Sequence, residues 1–370
     1  MSTRTPSAPP APERAPAPSV VPGAPSCVGG GGPGAGLARS NSRRTLVLLA
    51  ACTVLALTCV ASLAVGARDI PPATVWQALV AFDGSDEHVM VRDLRLPRTL
   101  VGLVVGPALG TCGALIQAFT RNPLADPGIL GVNAGASFAV TFAVAFLGLR
   151  APHQFVWFAL AGALAVTVLV YLIGSVGPGR ATPVKLTLAG VALSAVLGGL
   201  TSAMTLKSTQ TFDVMRFWGV GSIGGRSMET LVYCLPLIGA GLLLAAASAR
   251  SLNALALGDD LATAFGVRIG AVRVVVVLAV TLLAGTAVAV AGPIGFVGLM
   301  VPHVVRWFVG PDQRWIIAMT VVVAPVLLLA SDIIGRIILP SGELRVGLVT
   351  ALLGAPVLIA LVRRKQVSGL

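Results

Sequence analysis

The sequence predicts an all-α polytopic membrane protein with about ten transmembrane helices, on three observations. Apolar residues make up 56% of the 370-residue chain and charged residues 11%, with a mean hydropathy of +0.91. Such a composition leaves too little polar surface for a domain that faces water on all sides. The 26 basic and 14 acidic residues cluster between uncharged stretches, as they do in chains that cross a bilayer repeatedly. Nine such stretches occur, at 45–66, 99–120, 127–149, 151–179, 186–206, 230–249, 274–305, 315–331 and 346–362. The net charge of +12 does not indicate nucleic acid, because the charges are sparse and form no basic stripe with interleaved aromatics.

Residues 1–44 are rich in Pro, Ala, Ser and Gly and have no apolar period, so a disordered tail is expected there. Arg43 and Arg44 close it, and 45–66 is then about as long as the ~20 residues that span a membrane. The second stretch carries Gly102, Gly106 and Gly110 at four-residue spacing, which lets a neighbouring backbone approach closely. Small residues from Ala189 to Ala203 give the fifth a surface suited to tight packing or to lining a pathway. The stretch 274–305 would be about 48 Å long as one helix, against ~30 Å of hydrocarbon. Gly292-Pro293 interrupts it, so a full span, a turn and a shorter span are expected. Ten spans over 45–365 put both termini on one side. On that topology fourteen basic residues fall inside, or sixteen with Arg4 and Arg14 of the tail, a shallow positive-inside bias. Ten fall outside, among them Arg95, Arg98, Arg226, Arg336 and Arg345.

Little catalytic chemistry is available. None of Lys185, Lys207 and Lys365 follows a glycine, so no phosphate-binding G-x-x-x-x-G-K-[ST] loop exists. The histidines are far apart and the five cysteines form no C-x-x-C pair, so no metal ligand set is expected. Asp332 is the one acid within a span and stands four residues before Arg336, which suits a structural ion pair better than a proton relay. The connection 252–267 holds a short amphipathic helix: Asp259 can cap it, Leu261 and Phe265 share a face, and Gly266 can end it. Such a helix either docks in a groove of another protein or lies flat on lipid.

Several motifs in one order carry a family resemblance. They are Arg95-Leu-Pro-Arg98, Gly113-Ala-Leu-Ile-Gln117, the loop Arg121-Asn-Pro-Leu-Ala-Asp-Pro-Gly-Ile-Leu-Gly-Val132, and Leu255-Ala-Leu-Gly258 with Phe265-Gly266. Ala291-Gly-Pro-Ile-Gly-Phe-Val-Gly-Leu-Met-Val-Pro-His303 and Gly347-Leu-Val-Thr-Ala-Leu-Leu-Gly-Ala-Pro356 follow. Together they resemble the FecCD/BtuC-type permeases, over residues 45 to 365. The resemblance implies the ten-helix subunit of a type II ABC importer in a bacterial cytoplasmic membrane. It further implies a pathway shared with a second permease subunit, two ATPase subunits that use ATP and Mg, and an extracytoplasmic binding lipoprotein delivering an iron-siderophore, haem or cobalamin. This chain itself would bind no cofactor.

By the same resemblance Arg95, Arg98 and Arg336 receive acidic residues of the binding protein. Leu257, Gly258, Asp259, Leu261, Ala262, Phe265 and Gly266 couple to the ATPase. Asn122, Leu124, Thr182 and Pro183 form the cytoplasmic gate. The segment Phe217-Trp-Gly-Val-Gly-Ser-Ile-Gly-Gly-Arg226 resembles the iron-siderophore branch, whose permeases often pair with a paralogue. A secondary carrier, working without an ATPase, is the alternative from another class.

Overall fold

The computed structural model describes residues 40–176, 182–339 and 342–363. The expected tail at 1–39, Arg180 and Lys365 lie outside the described residues. In chain order the helices are α1 (Asn41–Ala64), α2 (Pro72–Val80), α3 (Asp86–Val89), α4 (Leu96–Thr120), α5 (Val132–Leu147), α6 (Pro152–Ser175) and α7 (Pro183–Lys207). There follow α8 (Thr209–Trp218), α9 (Met228–Ala256), α10 (Asp259–Ala264), α11 (Ile269–Ala291), α12 (Val297–Val309), α13 (Gln313–Ile337) and α14 (Val346–Arg363). A π-helical turn, Met90–Arg95, joins α3 to α4, and a 3₁₀ turn, Pro127–Leu130, precedes α5. No strand occurs among the described residues.

Each uncharged stretch forms a helix, and 274–305 forms parts of two. Seven helical stretches are long and apolar enough to cross a membrane, whereas α5, α12 and α14 are shorter. The expected division falls at Gly292 to Phe296: Gly292 ends α11 at φ 77°, Pro293 follows, and Phe296 takes a left-handed φ of 68° before α12 begins. The first helix starts earlier than the residue 45 expected, because Ser40 caps it by accepting from the Arg43 N–H at 3.3 Å. Three helices were not expected at all: α2, α3 and α8 are short connections, too brief to register as spans.

α4 is the centre of the bundle, its apolar window 83% buried, and it packs on α13, α11, α12 and α9. The glycine row explains the α13 contact. A Cβ on Gly106 would stand 2.6 Å from the Pro325 Cα, and one on Gly110 2.6 Å from the Ala324 Cβ. One turn further on, a Cβ on Gly113 would be 1.8 Å from the Gly298 carbonyl oxygen at the start of α12. The row is thus a packing surface, as its spacing suggested. Gln117 locks the junction, donating to the Gly298 and Leu299 carbonyls at 3.1 and 3.2 Å while accepting from Arg306 at 2.7 Å. By contrast only 11% of the α7 window is buried. Leu348, Leu352 and Ile359 of α14 are likewise exposed.

Candidate functional site

Two groups of side chains gather at opposite ends of the bundle. At one end α1 stops with its last carbonyls short of helical partners and no basic residue in its own last turn. Arginines from elsewhere supply the donors. Arg95, in the π-helical turn, donates to the carbonyls of Leu63 at 2.8 Å, Ala64 at 2.7 Å and Arg68. Arg336, on α13, donates to those of Ser62 at 2.9 Å and Val65 at 3.0 Å. Both cations also complement the negative end of the α1 dipole. Asp332, fully buried, pairs with Arg336 at 3.2 Å and with Arg98 at 2.8 Å, and Arg98 reaches on to Glu343 at 2.7 Å.

The structure therefore contains the Asp332–Arg336 pair that the spacing suggested. It brings Arg95, Arg98 and Arg336 together around one cavity of about 400 Å³. It differs from expectation in their exposure. Arg95 is 6% exposed and Arg336 3%, and Arg98 is clasped between two carboxylates, so none stands free as a surface cation. The cause is the unsatisfied end of α1, a demand invisible in sequence because donor and acceptor lie 31 to 274 positions apart.

Beside this network runs the segment Phe217–Arg226. α8 ends at Trp218, Gly221 turns the chain at φ 74°, and a Cβ there would strike the Pro293 carbonyl oxygen at 2.4 Å. The turn brings Arg226 back against α11, where it donates to the carbonyls of Ser222 at 2.9 Å and Ala291 at 3.2 Å. Burial, reinforced by the like charge of Arg345, lowers the Arg226 pKa to about 10.

At the opposite end, Arg121 terminates α4 in the left-handed conformation, with φ 50°. Asn122 Oδ1 then accepts from the Leu124 N–H at 3.0 Å, and Asp126 Oδ1 from the Gly128 N–H at 2.8 Å, two side-chain-stabilised turns in succession. Burial raises the Asp126 carboxyl above its ordinary pKa, and the Gly128 N–H opposes the shift. This loop lies on α7, since a Cβ on Gly190 would be 1.9 Å from the Ile129 carbonyl oxygen. Thr182 caps α7, accepting from the Lys185 N–H at 3.4 Å, and Pro183 opens the helix. The four residues assigned to a gate thus belong to two elements in mutual contact, the loop and α7.

α10 adjoins the same loop. The expected capping role of Asp259 is corrected: Gly258, at φ 113°, holds the N-cap position, and Asp259 is the first helical residue. Its carboxylate instead bridges two arginines, pairing with Arg121 and with Arg273 at 3.1 Å. No local pattern pairs Asp259 with either arginine, which stand 138 and 14 positions away. Ala262 is buried and anchors the helix, while Leu257, Leu261 and Phe265 are 60%, 52% and 69% exposed. Gly266, at φ 79°, ends the segment as expected. A bundle end that presents three large apolar side chains around an ion pair has the character of a protein contact surface.

Comparison with known proteins agrees with this architecture. The chain is 49% identical to the ferric enterobactin transport system permease protein FepD of Escherichia coli (strain K12), over 88% of this chain and 95% of that one. It is 39% identical to the probable siderophore transport system permease protein YfiZ of Bacillus subtilis (strain 168), over 89% of this chain and 98% of that one. Its fold resembles a solved structure described as an inward-facing conformation of a metal-chelate type ABC transporter, with a TM-score of 0.75 and 28% identity over 86% of this chain and 99% of that one. The pattern of the FecCD transport family matches residues 54–364, from within α1 to just past α14, and the chain is a multi-pass membrane protein that belongs to that family.

Proposed function

We propose that this chain is the permease subunit of an ATP-driven importer carrying ferric siderophore complexes across the cytoplasmic membrane. The observation that carries the reading is the likeness, over nearly the whole bundle, to a permease named for ferric enterobactin transport. The end bearing α10 faces the cytoplasm, as do both termini, and the end bearing Arg95, Arg98 and Arg336 faces outward. The exposed face of Leu257, Leu261 and Phe265 enters a cleft of the ATPase subunit, and ATP and Mg are used there. Gly258 and Gly266 bound the coupling helix, Ala262 anchors it, and Asp259 transmits its movement through Arg121 to the gate of Asn122 and Leu124, with Thr182 and Pro183 opposite. The exposed faces of α7 and α14 line a pathway shared with a second permease subunit. Closure of the ATPase pair would tilt these elements so that the pathway opens to one side at a time.

A binding lipoprotein docks on the outer face. Arg98 is the exchangeable cation there, a reading supported by its pairing with the half-exposed Glu343, with which an incoming carboxylate can compete. Arg95 and Arg336 instead hold the rim rigid. Their burial leaves electrostatic steering to Arg98 and the remaining outer cations. Asp332 lies between two arginines, an arrangement that favours a structural anion over the proton carrier of a secondary transporter. The test is uptake in a host lacking this gene. Loss of ferric siderophore uptake with haem and cobalamin uptake intact supports the reading; loss of haem or cobalamin uptake alone reassigns the cargo.

A further inference from the structure

The last turn of α9 is fastened to the start of α13 at the α10 end of the bundle. Asn253 of α9 donates to the Asp312 carboxylate at 2.8 Å and accepts from the Gln313 N–H at 2.8 Å, so the two helices leave this clasp side by side in opposite chain directions. Beyond it the seam opens into a groove of about 320 Å³. Leu242, Ala246 and Ala249 form one wall, and Ile317, Ala318 and Val321 the other, with Arg314 at the mouth. Residue size explains the space, because half of the apolar wall is alanine. From Ala249 to Leu242, and from Arg314 to Val321, each wall runs about 10 Å along its helix. Ala246, Ala318 and the neighbouring Leu243 are exposed, so the groove opens on the apolar outer surface that lipid covers in a membrane-spanning bundle.

Two guanidiniums mark the mouth. Arg250 follows Ala246 by one turn on α9, and Arg314 precedes Ala318 by one turn on α13, so each shares a helix face with an alanine of the groove. Both arginines are exposed, and among the described residues neither enters an ion pair. The acid beside the mouth, Asp312, is engaged elsewhere. One oxygen accepts from Asn253 and from the Arg314 backbone N–H at 3.1 Å, and the other faces Arg44 at 3.9 Å.

An apolar groove that ends in two uncompensated cations complements both halves of a phospholipid, and basic pockets between membrane helices take anionic headgroups. We propose that the α9–α13 groove binds one anionic phospholipid from the leaflet at the α10 end, with an acyl chain along Ala246 and Ala318 and the phosphate between Arg250 and Arg314. Guanidinium binds phosphate through paired N–H donors. A zwitterionic lipid carries the same phosphate already partnered by its own ammonium, so the site selects lipids whose charge is unopposed. The bound lipid braces α9 against α13 just before α9 continues into α10. This inference requires only that the chain spans a membrane, and it is independent of the cargo.

The test is native mass spectrometry of the full-length permease, delipidated in detergent and titrated with phosphatidylglycerol or with phosphatidylcholine of the same acyl chains. Wild type should bind the first phosphatidylglycerol at least about tenfold more tightly than the first phosphatidylcholine. Arg250→Gln with Arg314→Gln should lower phosphatidylglycerol affinity about tenfold, close to the phosphatidylcholine value, and the double Lys variant should retain most of the affinity by keeping both charges. Ala246→Leu with Ala318→Leu fills the groove from its exposed side, so the fold should persist while binding of both lipids falls together. Equal binding of the two lipids by wild type overturns the proposal. Full phosphatidylglycerol binding by the double Gln variant does so too, since the headgroup would then not meet the arginines. Full binding by the double Leu variant also overturns it, by showing arginines that reach passing headgroups without a groove. Inorganic phosphate that displaces phosphatidylglycerol would replace the lipid site with a simple anion site, and a dimer that dissociates when the groove is filled, with lipid binding unchanged, would assign the face to a second copy of this chain.

Discussion

Arg121 and Asp259 lie 138 positions apart and form an ion pair that joins the loop ending α4 to the first turn of α10. Arg273 holds the other carboxylate oxygen at 3.1 Å, so one acid gathers three elements. Both members of the Arg121 pair are roughly half exposed, and such pairs contribute only about 0.2–1 kcal/mol. Its importance is geometric. Asp259→Ala should leave thermal stability within about 1 kcal/mol of wild type yet reduce ATP-driven uptake several-fold. The double reversal Arg121→Asp with Asp259→Arg should recover part of that loss, and uptake by Asp259→Ala at the wild-type rate would remove the link.

The exposed apolar face of α10 is separable from this pair. Replacing Leu261 and Phe265 together with Asp should release the ATPase subunit during purification while the permease remains folded, because both side chains are more than half exposed in this chain. Co-purification of an intact complex would show that the face lies on lipid instead.

Asp332 makes a strong stability prediction. Asp332→Asn preserves volume but leaves Arg98 and Arg336 buried without their shared anion, which should cost about 3–5 kcal/mol. Thermal unfolding in detergent should register it as a clear fall in midpoint. Transport by the surviving folded fraction should still follow ATP, whereas dependence on a proton gradient that vanishes with this substitution would revive the proton-relay reading.

The glycine row can be tested residue by residue. Gly113→Ala places a methyl group against the Gly298 backbone and should destabilise the bundle by about 1–3 kcal/mol or more. Gly239→Ala, with nothing within 4 Å of the added carbon, should be neutral or stabilising by up to about 1 kcal/mol. Equal melting of the two variants would contradict the packing account.

The spans were legible because membrane burial acts on runs of adjacent residues: 45–66, 99–120 and the broken 274–305 can each be read without knowing their neighbours. The glycines at 102, 106 and 110 were legible for the same reason, since helical spacing is local. What escaped was everything that joins distant segments. Nothing near Ser62 or Ala64 announces that Arg95 and Arg336 will bond their carbonyls, and nothing near Asp259 names Arg121. Arg95, Arg98 and Arg336 illustrate the consequence. The span count puts them on one side and the structure gathers them at one end of the bundle, but the burial of Arg95 and Arg336 depends on the free end of α1, which no local pattern shows. α2, α3 and α8 were missed because a short helix between spans leaves no long apolar run.

The most direct test of the account is reconstitution of the permease with its ATPase subunits and binding lipoprotein in proteoliposomes, measuring radio-iron accumulation from a ferric siderophore. Accumulation should require ATP and Mg on the side bearing α10, stop when the ATPase subunit is omitted or when Leu261 and Phe265 are both Asp, and be unaffected by collapsing the proton gradient. Accumulation that proceeds without the ATPase and disappears with the gradient would contradict it.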